Sequence, residues 1–449
     1  MRRSSSTSFL CAIAAASLSI LAAGARAQDS AAKAPEARPT SLPSKANWTF
    51  NLDAGVGYFS FGNSLYQQTR PDDPASNSGA NWAEGYVKPA ISGVLPAGKS
   101  EWYGKLSVVG ERTFAAPPPL VGSEASSYGL EDFYIGWRSG KSMSMGENAL
   151  DFTLGMAPYR IGQGMLLWDG GGEGGVRGGF WSNARKSWQY AAIGRLNVKQ
   201  NLVELFYLDR NEVPGYDLAT KTWGINYQRT IGEHTTLGAS YFKFSTDSFP
   251  DRNGLGVFNL RAFTTPFKSI PTLALQAEWA QEKNGDLVNS MSWYFQAAYG
   301  LDKLKWKPTI TYRYAFFEGD DPSTTTNENF DPLYPGFYDW GTWWQGEIAG
   351  EYFVANSNLI SNQLRLSLAP SEKVSPGLIA YQFSLDRLTG AATSKNLAFE
   401  LDGYCDWKAT PNITMSFVLA YLNPQAAVQQ EFGRTKDMVY TMIYMAYAY

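Results

Sequence analysis

Lys305, Lys307 and Arg313 occupy odd positions of the stretch from Lys305 to Phe317, while Trp306, Ile310, Tyr312, Tyr314 and Phe316 hold even ones. Successive strand side chains point to opposite faces, so the spacing predicts one cationic face and one apolar, aromatic face. The same parity puts Lys105, Arg138, Arg195 and Arg365 on the wet face of other strand-like segments, together with the acids Asp132, Glu278, Glu400 and Asp402. Fixed charges along a passage select ions: rings of Lys or Arg favour anions, and rings of acid favour cations. Arginine adds a two-point grip on a carboxylate. At about 3.3 Å rise per residue, Lys305, Lys307 and Arg313 are expected to form a ladder along a wall, suited to carboxylated sugars. Salt bridges to the wall acids are the competing use of the same cations. Tyr103, Tyr134 and Tyr159 share that face, where their rings could stack on sugars.

Other chemistries find little support. The chain has one histidine, His234, and it falls in the short stretch Gly232-Glu-His-Thr235, so a Ser–His nucleophile is not expected. Glu400 and Asp402 share a face and could in principle hydrolyse a glycoside, but pairing with nearby cations explains them as well. The glycine-rich run from Asp169 to Gly179 lacks the Lys-Ser/Thr ending of a phosphate-cradling turn and reads as a constricting or mobile loop. Acids between Asp320 and Asp331 match no calcium-loop spacing. No enzyme activity, cofactor or metal is expected. The formal charge is −3, with no basic run, so nucleic acid is not an expected partner.

The elements that must position the charged face follow from the rest of the chain. Residues 1–27 read as a secretory signal: Arg2 and Arg3, an apolar run from Phe9 to Ala23, then Ala25-Arg26-Ala27 before Gln28. Residues 28–46 read as a flexible periplasmic leader. Without the signal, which holds three Arg and no acid, the formal charge falls from −3 to −6. Cys11 goes with it, leaving Cys405 alone on an apolar face. From residue 47 to 449, strand-like segments of about ten to fourteen residues follow one another with no long apolar stretch, the length that tilted membrane strands need. The chain holds 26 Tyr, 25 Phe, 15 Trp and 43 Gly, a supply that suits two interfacial girdles and many turns. The expected fold is all-β: a single transmembrane, antiparallel, up-and-down β-barrel in the bacterial outer membrane, bathed in its lipid. Short connections must alternate with long extracellular ones, and they do so only if Trp343–Val354 is not a strand. Trp340, Trp344, Ile348 and Tyr352 recur every fourth residue there, so a short helix is expected within a long loop from Gly319 to about Leu359. Eighteen strands remain, with sixteen as the fallback.

Three places resemble the alginate export family of outer-membrane barrels. They are Gly155-Met-Ala-Pro-Tyr-Arg160-Ile-Gly-Gln-Gly164 with Leu167-Trp168-Asp169 and Arg177-Gly-Gly-Phe-Trp181; Asn329-Phe-Asp-Pro-Leu-Tyr-Pro335; and Phe399-Glu400-Leu-Asp402 with the segment from Asn412 to Asn423. The resemblance implies an eighteen-stranded pore that passes an anionic polysaccharide outward through a basic constriction gated by loops, fed by periplasmic polysaccharide-secretion proteins. It adds Arg160 to the pore-lining set. Acids such as Glu278, Glu400 and Asp402 on the lumen face depart from that pattern. General or substrate-specific uptake of small solutes is the alternative use of the same wall.

Overall fold

A computed structural model describes residues 46–63, 79–115, 117, 124–168, 170–336, 345–433 and 436–449. The signal, nearly all of the leader, Trp340 and Trp344 lie outside the described residues. Eighteen strands follow in order: β1 (Asn47–Gly62), β2 (Gly79–Ala97), β3 (Ser100–Phe114), β4 (Ala125–Arg138), β5 (Leu150–Ala157) and β6 (Trp188–Val198). Next come β7 (Asn201–Asp209), β8 (Lys221–Ile231), β9 (Thr235–Ser245), β10 (Gly256–Thr264), β11 (Leu273–Asn284) and β12 (Val288–Gly300). The set ends with β13 (Thr309–Phe317), β14 (Leu359–Ser367), β15 (Val374–Ser384), β16 (Asn396–Lys408), β17 (Ile413–Pro424) and β18 (Met438–Ala448). Each strand pairs antiparallel with its neighbours in sequence, and β1 pairs with β18, from Asp53 opposite Ala448 to Gly62 opposite Val439. The sheet is therefore a closed ring without edges, in which every strand has hydrogen-bonding neighbours on both sides. This is the expected eighteen-stranded barrel.

The alternation predicted from sequence sorts the two faces. On β16, Glu400, Asp402, Tyr404 and Asp406 are buried inside, while Leu401 and Trp407 are exposed outside; Cys405 takes the outward parity. A belt of exposed Leu, Ile, Val, Phe, Tyr and Trp covers the outside, as a hydrocarbon surround requires. Tyr and Trp stand at both ends of the strands: Trp48, Trp102 and Trp407 near the short turns, Tyr241 and Tyr421 near the long loops.

The loop after β13 is as expected, and the start of β13 is not. The segment from Gly319 to Leu359 is one long connection, and it carries a π-helical turn at Gly346–Gly350 where a short helix was expected. The strand itself begins at Thr309, four residues later than the alternation from Lys305 implies. Leu301 to Pro308 form a turn closed by Leu301 N–H donating to Pro308 O at 2.8 Å, with Trp306 and Lys307 at positive φ. Lys305 and Lys307 therefore belong to the periplasmic rim, and the ladder with Arg313 does not form. Alternating residue types persisted through the turn because Leu304, Trp306 and Pro308 alternate with lysines by composition alone. A helix α1 (Ala426–Phe432) in the last long loop had no counterpart in the sequence reading.

The inner wall changes character along its height. Odd-numbered strands climb toward the long loops, so β9 presents Ser240 and then Phe242 and Phe244 to the interior, and β13 presents Thr311 and Arg313 and then Ala315 and Phe317. Phe59, Phe61, Trp82, Tyr440 and Tyr444 make the same apolar zone on β1, β2 and β18. The periplasmic half is polar; the extracellular half is largely aromatic and buried, with carboxylates such as Glu84, Glu282 and Glu400 set among the rings. Lipid-facing Leu205 lies midway along β7, and Leu205→Arg should lower the unfolding free energy in refolding titrations by about 2–4 kcal/mol, the range for a cation placed at bilayer mid-depth.

Candidate functional site

The polar half of the wall carries a continuous chain of charge pairs and hydrogen bonds, supplied by each strand from β3 to β11. Arg138 on β4 reaches Glu101 on β3 and Asp151 on β5, both at 3.2 Å. Arg195 on β6 lies 3.7 Å from Asp151 and 2.8 Å from Glu204 on β7. Asn226 on β8 donates to Glu204 at 2.6 Å and accepts from Ser240 on β9 at 2.9 Å. Arg261 on β10 donates to Ser240 at 2.8 Å and to Asn259, which passes the chain on to Glu278 on β11 at 3.0 Å. These residues sit directly opposite one another in the register, as Asp151 and Arg195 or Arg195 and Glu204 do. Cross-strand neighbours on one face lie about 5 Å apart, so opposite charges pair without strain.

The wall acids of the extracellular half have a different task. The described residues of two long loops fold into the bore, 158–168 and 170–187 between β5 and β6, and 318–336 and 345–358 between β13 and β14. Their backbone amides end on wall carboxylates. Glu84 on β2 accepts from Trp181 N and Ser182 N at 2.8 and 2.9 Å, and Glu131 on β4 accepts from Lys186 N and Ser187 N at 2.5 and 3.0 Å. Arg185 donates to Glu111 on β3 at 2.7 Å. On the other side, Glu400 accepts from Ile348 N and Ala349 N at 2.7 and 2.8 Å, Asp402 from Glu347 N at 3.1 Å, and Glu282 from Asp331 N at 2.8 Å. A carboxylate can take several such bonds, and charge-assisted ones are about twice as strong as neutral ones.

The two loops start from nearly opposite sides of the ring and meet. Tyr334 N–H donates to Leu166 O at 3.0 Å and Trp168 N–H to Tyr334 O at 2.9 Å, a parallel bridge, and Gly336 N–H donates to Gly164 O at 2.9 Å, so that a short main-chain ladder joins the loops. At Gly336 an added Cβ would fall 1.7 Å from the Trp168 ring, so only glycine permits this approach. Gly155, with φ +122, starts the first loop's turn into the bore at a bulge in β5. Tyr334 is buried between Trp188 and Phe244, takes a hydrogen bond from Arg252 at 2.8 Å, and lies 3.9 Å below the Arg210 guanidinium. Tyr352 packs at 4.7 Å on Phe61 across from Trp82 and Tyr440. The loops thus form a septum whose buried side is the aromatic upper wall.

The residues singled out from sequence distribute accordingly. Lys105 faces the lumen and pairs with Asp132 at 3.0 Å; Arg138 and Arg195 lie in the belt. Arg313 faces inward and is fully buried, opposite Gln296 and Gln363 on the flanking strands. Arg365, half-buried, donates to the Tyr404 hydroxyl at 3.2 Å. Arg160 stacks over Trp168 at 4.5 Å within the first loop. Glu400 and Asp402 hold the second loop, and Lys305 and Lys307 stand on the rim. Tyr103 donates to Asp151 at 2.6 Å beneath Arg138, and Tyr159 is buried against Glu204. Arg177 in the glycine-rich run donates to Gly172 O and Glu212 O, both at 2.6 Å. Sequence reasoning missed Glu84, Glu111, Glu131 and Glu282. Only Glu84, set between Trp82 and Tyr86 on the inner face of β2, carried a signal of its own, an acid flanked by aromatic residues.

Removing Glu400 leaves two helix-turn amides buried without acceptors, at about 1.5–3 kcal/mol for each charge-assisted bond. Glu400→Ala should therefore raise the open fraction in single-channel records at least tenfold, and Glu84→Ala should do the same from the other loop. Glu173, inside the first loop, is buried near Glu111, Arg185 and Arg177. Burial raises its pKa well above the ordinary carboxylate range, neighbouring Glu111 adds to the rise, and Arg185 opposes it. A folded-state value above the unfolded one stabilises the inward loop fully at pH below the ordinary carboxylate range, and this contribution is lost as pH rises through the raised value. Channel openings should become more frequent from mildly acidic to alkaline buffer, and Glu173→Gln should flatten that dependence.

Residues 274–441 match the alginate export family. No curated protein matches the chain in sequence. Among solved structures, the barrel is similar to OccAB2 of Acinetobacter baumannii, with a TM-score of 0.61 at 11% identity over 90% of this chain and 98% of that one. It is also similar to OccK5 (OpdH) of Pseudomonas aeruginosa, at 0.57 and 10% over 91% and 99%, and to OpdQ of the same organism, at 0.56 and 13% over 90% and 97%. At these identities the likeness speaks for the fold, which is that of outer-membrane porins. Closed ring, lipid-facing belt, polar lower lumen and family match converge: the chain is a bacterial outer-membrane β-barrel channel of porin architecture whose residues 274–441 match the alginate export family.

Proposed function

We propose that this barrel passes an anionic polysaccharide of the alginate type outward across the outer membrane, handed to it by periplasmic secretion proteins. The observation that carries the reading is the match of residues 274–441 to the alginate export family, a span that includes Arg313, Arg365 and the acids that hold the second loop. The geometry is compatible with such cargo. An eighteen-stranded ring is wide enough for an aqueous channel, and the septum of two loops supplies a closure that an idle secretion channel needs. In the lower lumen Lys105, Arg138, Arg195 and Arg365 retain partial exposure, so their charges are available to a carboxylated chain. Uptake of small solutes is the second reading. The loop ladder favours it, because a permanently seated septum narrows an otherwise polymer-sized bore.

Reversal potentials of the refolded barrel in planar bilayers, with and without a uronate polymer, separate the two. Export predicts anion preference, a mostly closed idle state and block by polyuronate. Uptake predicts a constantly conducting pore indifferent to the polymer. Lys105→Gln with Arg365→Gln should lower the anion-over-cation permeability ratio roughly five- to thirtyfold, since each of the two charges contributes about 0.5–1 kcal/mol at aqueous dielectric. An unchanged ratio would remove the cations from the selectivity argument.

A further inference from the structure

Lys305 and Lys307, displaced from the wall to the rim, belong to a larger pattern. Eight short turns close the barrel on its periplasmic side, and six of them carry lysine. Lys99, Lys141, Lys199, Lys268 and Lys373 each stand alone in a turn. The β12–β13 turn holds three, Lys303, Lys305 and Lys307. All of these side chains are exposed, as is Lys408 at the end of β16. The same turns hold only Glu147, Glu233, Asp302 and Glu372 as acids. The extracellular loops carry the opposite balance. Among the described residues their lysines are Lys186, Lys395 and Lys436, and acids such as Asp247, Asp286, Asp320 and Glu328 outnumber all cations there. A chain of net charge −3 has thus placed its exposed lysines mainly at one mouth.

From this asymmetry we infer that the periplasmic rim is a capture collar for a polyanion: the lysine-bearing turns, and the β12–β13 turn above all, bind an acidic polysaccharide before it reaches the lumen. The inference rests on the export reading and adds to it the side from which the cargo is taken. The collar is continuous with lumen cations at the same end. Arg138 is the last residue of β4, Arg365 stands two residues before the end of β14, and Arg195 three before the end of β6. That continuity favours a polymer threading inward over a lipid headgroup lying outside, which would leave the lumenal cations without a part. Screening limits each charge to about 8–10 Å, so neighbouring turns act together only on a chain that touches several of them. Clustered charge of one sign raises association rates by about 10- to 1,000-fold, steeply dependent on salt. A passive pore gains no driving force from this, but the rate of capture becomes unequal at its two mouths.

The test is polyuronate block of single channels of known orientation, fixed by an impermeant thiol reagent acting on Ser323→Cys in an extracellular loop. Added at the periplasmic face, polyuronate should block with an association rate at least tenfold above that from the extracellular face, and the difference should shrink as salt rises. The triple change Lys303→Gln, Lys305→Gln, Lys307→Gln should cut the periplasmic rate severalfold and leave the extracellular rate alone; arginine at the three positions should restore it. Equal block from both faces overturns the collar and leaves the export reading standing. Absence of block from either face removes the polymer and the collar together. Symmetric block combined with impaired insertion of the triple variant into anionic-lipid bilayers would make the lysines a headgroup anchor, which also overturns the collar.

Discussion

The architecture depends on one constraint: the upper inner wall is apolar and must be covered. Phe242, Phe244, Ala315, Phe317, Tyr440 and Tyr444 turn inward where a porin of this width would hold water. Exposing that aromatic surface is unfavourable by about 25 cal/mol for each Å². Loops long enough to reach across the bore remove it from water, and Leu166, Leu167, Leu333, Tyr334 and Ile348 become a second core inside the ring. The barrel therefore has two solvents on its outer half, lipid outside and its own loops inside.

That core creates the next problem, which is backbone. A loop pressed against aromatic rings brings amide groups into a dry place, and buried amides need acceptors. Glu84, Glu131, Glu282, Glu400 and Asp402 answer it from the wall, while Glu111 takes the Arg185 side chain. Below the septum the same residue types meet arginines instead and form a belt of pairs. Acids in the two halves of one lumen thus do unlike things, by height rather than by identity.

Much of this was legible in the sequence. Strand number, closure, the site of the long loop and its helical turn follow from period-two alternation and from the alternation of short and long connections, and lumen parity on β13, β14 and β16 was readable residue by residue. The loop anchors were not. Side-chain parity says which face Glu400 occupies, but whether it meets water, a cation or a folded-in amide depends on a loop some fifty residues away in sequence. The start of β13 was also hidden, because Trp306 and Lys307 leave the strand conformation by a change of φ that their residue types do not announce.

The ladder between the loops is made by main-chain groups of Leu166, Trp168, Tyr334, Gly336 and Gly164. Peptide groups are the same in every residue, so this contact asks little of the side chains flanking it, apart from glycine at its tightest point. Each loop is accordingly free to acquire new side chains on the face it shows to passing cargo without losing its hold on the other. Closure and recognition are separable traits in such a lumen, and a descendant barrel could change what it passes while keeping how it shuts.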